Sequence, residues 1–136
     1  MAKELYVGKI LTNEMITAGK QFLQQIEAVM PITASFWLYT SEAERWRLYI
    51  ASPVVSKEGS KKMYEQVINI LDAEREPSLP AVSVLATDDN DQYVSSLRMM
   101  RLSHEVSEKR FTSLGVNGRY IEDAYIYRLY EAKADK

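Results

Sequence analysis

Apolar residues recur at helical spacing in three stretches of the chain, and each stretch is preceded by a residue that can cap a helix. Pro31 stops the first stretch, and the segment 74–80, which contains two prolines, ends the second. The pattern therefore predicts three helices. The residues predicted to cap them are Thr12 or Asn13, Ser56, and Asp88 or Asp89.

Two pairs of segments are rich in β-branched and aromatic residues, which predicts two hairpins. The first pair is Ile32 to Tyr39 and Arg45 to Ala51, joined by the polar residues 40–44. The second pair, Phe111 to Val116 and Arg119 to Tyr130, flanks Asn117-Gly118, a dipeptide that favours a tight hairpin turn. A short buried strand, Ala81 to Ala86, lies between the last two helices.

The first hairpin allows a prediction of register, because one arrangement gathers its apolar side chains on a single face. In that arrangement three pairs face each other across the hairpin: Leu38 and Trp46, Phe36 and Leu48, and Ala34 and Ile50. A slip of one residue would set Leu38 opposite Arg47 and bury a charge, so we expect the first arrangement.

These elements predict an α+β fold in the order α-β-β-α-β-α-β-β. Hairpins at both ends of the strand set favour a mostly antiparallel or mixed sheet with helices packed on one face. We expect one domain over residues 1–130 and a charged tail at 131–136, where no apolar residue is larger than alanine.

Composition narrows the classes of protein that this chain can represent. Its 136 residues, with 46% hydrophobic and 26% charged, are typical of one globular domain. The absence of cysteine excludes disulfides and thiolate chemistry, and no signal-peptide or membrane-spanning pattern is present. A net charge of −2 gives no general attraction to nucleic acid. We therefore expect a cytoplasmic protein that does not bind membrane, and the charge favours a protein partner over nucleic acid.

Two acidic clusters are candidates for metal binding. Asp88-Asp89-Asn90-Asp91 resembles the start of a calcium loop, but the required glycine and distant glutamate are missing, so the run is interpreted as a helix cap. Glu122 and Asp123 are neighbours on a strand and should point to opposite faces. We expect at least one of the two to be solvated and the chain to hold no metal or cofactor.

Two further motifs suggest catalysis but lack the arrangement that it requires. The segment Ser103-His104-Glu105 groups a nucleophile, a base and an acid, yet such neighbours fan outward from a helix end instead of converging. The segment Ala18-Gly19-Lys20 resembles the end of a phosphate-binding loop but lacks its first glycine and its hydroxyl, which indicates helix interior. The sequence therefore assigns no catalytic residue.

The outward face of the first hairpin is the strongest candidate for a binding site. In the predicted register this face interleaves aromatic and guanidinium side chains, which are enriched at protein interfaces. It is alternatively covered by another element of the same chain. The residues of this face are Ser35, Trp37, Tyr39, Arg45, Arg47 and Tyr49.

The segments 36–39, 46–53 and 120–128 resemble parts of small bacterial proteins of uncharacterised function. That resemblance covers most of the chain and implies a bacterial, cytoplasmic origin, but no functional residue. The helix followed by a hairpin also resembles the start of GAF-type small-molecule sensor domains, over roughly the first third.

Three functions remain open at this stage. The first is a non-enzymatic interaction or homo-oligomerising module that uses the aromatic face, with a protein or a second copy as partner. The second is a sensor domain that encloses a small ligand, and the third is an enzyme whose site the sequence does not reveal. They differ in whether Trp37 and Tyr39 are exposed, line a cavity or are covered.

Overall fold

The computed structural model describes residues 10–73, 79–80, 83–88, 90–101, 108–116 and 119–129. In these residues the chain forms four helices and five strands. The helices are α1 (Asn13–Glu27), α2 (Pro53–Glu58), α3 (Lys61–Asp72) and α4 (Gln92–Arg101). The strands are β1 (Ala34–Thr40), β2 (Arg45–Ala51), β3 (Val84–Thr87), β4 (Lys109–Val116) and β5 (Arg119–Leu129). The predicted α+β class and order are confirmed, although the second predicted helix is divided into α2 and α3.

One five-stranded sheet contains both predicted hairpins, with the strand order β3-β2-β1-β5-β4. Its pairs are antiparallel except β2 and β3, which are parallel because α2 and α3 cross over between them. The sheet is therefore mixed, as expected. The predicted Asn117-Gly118 turn and the predicted tail at 131–136 lie outside the described residues.

Helices cover both faces of the sheet, so the prediction of helices on one face is wrong. On the first face, residues of α1 and α3 pack into one core with Trp37, Trp46 and Leu48. On the second face, Val94 and Leu97 of α4 pack into another core with residues of β1 and β5. All seven residues of β1 are buried because this central strand has a helix layer on each side.

The register of the first hairpin differs by one residue from the predicted one. Leu38 lies opposite Arg47, and Phe36 lies opposite Tyr49. That prediction assumed that one face of the hairpin is buried and the other is exposed. The apolar pattern determines the register only where this assumption is true. With both faces covered, apolar side chains are required on both, and Arg47 lies near the edge of the second face.

Capping residues explain where the helices begin. The Thr12 hydroxyl accepts from the backbone N–H of Met15 at 3.1 Å, which confirms one of the predicted caps. The cap predicted at Ser56 is wrong, since Ser52 caps α2 with Pro53 in its first turn. The cap predicted at Asp88 is also wrong, since Asp91 accepts from two backbone N–H groups at the start of α4, and the alternative, Asp89, lies outside the described residues.

Helix α1 lies directly against the sheet at Gly19. Beneath this glycine, the indole N–H of Trp37 donates to the phenolic oxygen of Tyr127 at 2.9 Å, and the Tyr127 hydroxyl donates to the carbonyl of Ile16. A Cβ at position 19 would overlap that phenolic oxygen and lie 2.7 Å from the Trp37 indole nitrogen. The absence of a side chain therefore permits the close contact, and the prediction that Ala18-Gly19-Lys20 is helix interior is confirmed.

We predict that Gly19→Ala lowers the free energy of unfolding by about 1–3 kcal/mol, because the new methyl group overpacks a buried hydrogen-bonded pair. This loss should appear even though alanine favours helix by roughly 0.5–1 kcal/mol over glycine. Urea denaturation followed by circular dichroism measures the change. Thr17→Ala is the control, since this residue is exposed on the same helix and its side chain can be shortened without overpacking the core. A stabilised Gly19→Ala variant would contradict the packing described.

Candidate functional site

The predicted binding face is divided between the two sides of the sheet. Because of the observed register, Trp37 and Tyr39 lie on the first face with Ser35, whereas Arg45, Arg47 and Tyr49 lie on the second. Trp37 is 0% exposed and Tyr49 is 3% exposed. The five residues predicted to bind a partner therefore do not form one surface, and a role for the partly exposed Arg45 and Arg47 stays a prediction.

A stacked ion pair lies on the first face beside the buried aromatic residues. The guanidinium of Arg110 binds Asp123 through two hydrogen bonds of 3.0 and 2.7 Å and lies 5.3 Å from the ring centroid of Trp46. The Tyr39 ring packs against Trp46 at 5.9 Å. We call Arg110, Asp123, Trp46 and Tyr39 the Arg110 cluster.

The Arg110 cluster is electrically balanced, because the Arg110 guanidinium and the Asp123 carboxylate form an ion pair. The hydrogen bond to Asp123 raises the pKa of the Arg110 guanidinium, so this side chain stays charged. The Trp46 indole nitrogen is buried and has no hydrogen-bond acceptor within the described structure. The ion pair and the contact with Trp46 account for the position of Arg110 above the face of the sheet.

The second face holds an aromatic stack centred on Tyr49. Its ring lies parallel to Phe36 at 5.0 Å, meets Tyr93 edge-on at 6.0 Å, and has the Arg47 guanidinium 5.9 Å from its centroid. Burial raises the pKa of the Tyr49 phenol to about 12, with smaller contributions from surrounding charges, of which Arg47 acts in the opposite direction. The phenol is therefore neutral at physiological pH and serves packing.

The carboxylates of the two acidic clusters make separate local contacts. Asp91 accepts from Tyr93 and Val94 N–H groups and from the Thr87 hydroxyl at 3.0 Å, which confirms the interpretation of the run as a helix cap. Glu122 accepts from the backbone and hydroxyl of Ser41, while Asp123 binds Arg110, so their side chains diverge as predicted.

Among the described residues no group of three possible ligands could hold a metal ion. The expectation that the protein holds no metal or cofactor stays a prediction. His104 and its two neighbours, Ser103 and Glu105, lie outside the described residues, so their predicted position at a helix end is untested. No helix in the described part of the chain has the length and apolar character needed to cross a membrane.

The two edges of the sheet differ in length and in protection. At one edge, β3 has only four residues, and its Ala86 N–H donates to the Tyr64 hydroxyl of α3 at 3.0 Å. At the other edge, β4 has eight residues, and no other part of the described chain pairs with its outer side. Lys109, Arg110, Thr112 and Ser113 are all exposed. The open edge is a candidate site because its backbone groups can pair with another strand.

Two features restrict which strand could pair with this edge. Ser113 has φ 51°, and the β4–β5 ladder passes from Thr112 to Leu114 without it, so the strand is kinked there. Lys109 is charged and contacts no carboxylate among the described residues. Charges and kinks on an edge strand discourage pairing with arbitrary strands. A partner strand must therefore follow the kink at Ser113 and accommodate the charge of Lys109.

Comparison of the chain with protein-family models, with curated proteins and with solved structures gave no match. The resemblance of the first third to GAF-type sensor domains therefore remains an expectation.

We predict that the free energy of unfolding falls as the pH rises from 10 toward about 12, in part because of Tyr49. In that window the unfolded phenol has lost its proton while the folded one retains it, so raising the pH favours the unfolded state. Urea denaturation of the wild type and Tyr49→Phe at several pH values isolates this contribution. The variant should lose less stability over the window, and identical pH dependence of the two proteins would refute the assignment.

Proposed function

We propose that this protein is a non-catalytic interaction module that binds an extended protein segment by strand addition at β4. The observation that carries the proposal is the long β4 edge, which nothing else in the described chain pairs with. Main-chain hydrogen bonds supply the affinity in this mode of recognition, and side chains beside the edge supply selectivity.

The placement of Arg110 supports the proposal. Its side chain is drawn over the first face by Asp123 and Trp46, so one of the two basic groups near the start of β4 is neutralised within the sheet. Lys109 remains as the exposed charge at that end of the strand. Within the described part of the chain, the edge therefore combines an open backbone with one charge, that of Lys109, which forms no ion pair there, and this suits selective pairing better than general repulsion.

The alternatives lack a specific supporting observation among the described residues. The aromatic groups that a sensor pocket could use are packed in two cores, and the carboxylates of the acidic clusters cap turns or pair with Arg110. Interaction through the backbone of an edge needs none of these side chains. The proposed function is therefore still protein interaction, but its proposed site is β4 and not the outward face of the first hairpin.

Binding of a labelled peptide of residues 108–116 to the protein tests strand addition. This peptide has the sequence of β4, so it can match both the kink and the charge of the β4 edge. We expect saturable binding in fluorescence anisotropy at a low concentration of the full chain. Added protein–peptide hydrogen bonds should also slow amide hydrogen exchange in β4, with little change in β3.

Two N-methylated peptides serve as matched controls. An added strand points one alternate set of its amides toward the edge and the other set away. Methylation of the pairing set should weaken binding at least about tenfold, which corresponds to roughly 1.4 kcal/mol, while methylation of the other set should have little effect. Equal loss in both peptides, or no slowing of exchange in β4, would contradict strand addition.

A further inference from the structure

We infer that the segment which pairs with β4 is β4 of a second copy of this chain, related to the first by a two-fold axis. This inference rests on the proposed strand addition and names its partner. Antiparallel pairing of the two edges would join the two five-stranded sheets into one continuous sheet of ten. A two-fold arrangement is closed, so it would cover the β4 edges of both copies and leave only the short β3 strands at the two ends of the joined sheet.

The kink at Ser113 supports a second copy because an identical strand carries the same bend at the same residue. The left-handed backbone there, φ 51°, interrupts an otherwise extended strand, and a straight partner cannot follow it on both sides. When the axis lies between Thr112 and Ser113, the two kinks meet at the centre of the interface. The straight portions on either side then pair with each other.

The distribution of charge along β4 favours the same antiparallel arrangement. Lys109 and Arg110 are at the start of the strand, and residues 111–116 carry no charge. Pairing about the axis just described places Lys109 opposite Val116 of the second copy and Arg110 opposite Gly115 of the second copy. Each basic end therefore meets an uncharged end, whereas parallel pairing would bring the basic ends together.

Gly115 leaves open space at the position where the inferred interface places the side chain of Arg110 from the second copy. The site of its absent side chain has nothing within 4 Å, and the residue is exposed. Opposite residues of an antiparallel pair project to the same face, so the side chain of Arg110 from the second copy would meet open space there. Its ion pair with Asp123 can then persist in the dimer.

A charge-swap experiment at Thr112 tests the inference, because this exposed residue lies beside its own symmetry mate near the axis. Thr112→Lys and Thr112→Glu each place two like charges together, so each should weaken dimerisation at least about tenfold in sedimentation velocity. An equimolar mixture of the two variants should restore the dimer, because opposite charges then face each other. Thr17→Lys and Thr17→Glu, at an exposed position on α1, are the matched controls and should change nothing.

Hydrogen exchange of the wild type provides a second measurement that needs no variant. Exchange of β4 amides should slow as protein concentration rises, whereas exchange in β3 should not change with concentration. The variants are compared only after circular dichroism shows native content. If a variant fails to fold, the concentration dependence of wild-type exchange decides the question.

The outcomes separate this inference from the proposed function. A monomeric wild type whose β4 binds the peptide would overturn the second copy as partner and leave strand addition standing. A dimer that both charge variants leave intact would overturn the inference by placing the interface elsewhere. A chain that neither dimerises nor binds the peptide at β4 would overturn both.

Discussion

The direct contact between α1 and the centre of the sheet constrains much of this structure. Gly19 allows the helix backbone to approach Trp37 and Tyr127, and the Ile16 carbonyl completes a chain of hydrogen bonds between them. Buried indole and phenol groups cost free energy when unpaired, so β1, β5 and α1 must remain in register together. Ion pairs flank the contact, from Lys20 to Glu108 and from Arg128 to Glu27. The helix is thereby held by a close, hydrogen-bonded contact at its centre and by ion pairs at its margin.

Burial of the central strand on both faces determines which side chains can take part in function. Phe36 and Leu38 of β1 face one core, while Trp37 and Tyr39 face the other. The aromatic residues that would suit a binding surface therefore stabilise the domain by stacking on one another. The arginine and carboxylate groups of the clusters described above lie nearer the periphery and are engaged in local contacts.

The edges of the sheet provide the contrast on which the functional proposal depends. The short β3 is protected by the Tyr64 hydroxyl, whereas the long β4 has an open outer side in the described chain. The chemistry offered at β4 is that of backbone N–H and C=O groups, which every sequence contains. The position of β4 in the sheet, and not its residue types, leaves those groups without a partner strand in the described chain, and the proposed function assigns selectivity to the kink at Ser113.

The sequence by itself determined the elements, their order and the α+β class, because helical and strand periodicities and caps such as Thr12 are local properties. It also determined that Glu122 and Asp123 diverge and that the acidic run before α4 caps a helix. Only the tertiary structure decided the register of the first hairpin and the burial of Trp37 and Tyr49, because both depend on whether helices cover one face of the sheet or two. It also brought Arg110 above Trp46 and left β4 at an edge. Strand order is a property of long-range pairing, and no local pattern in residues 108–116 distinguishes an edge strand from a central one.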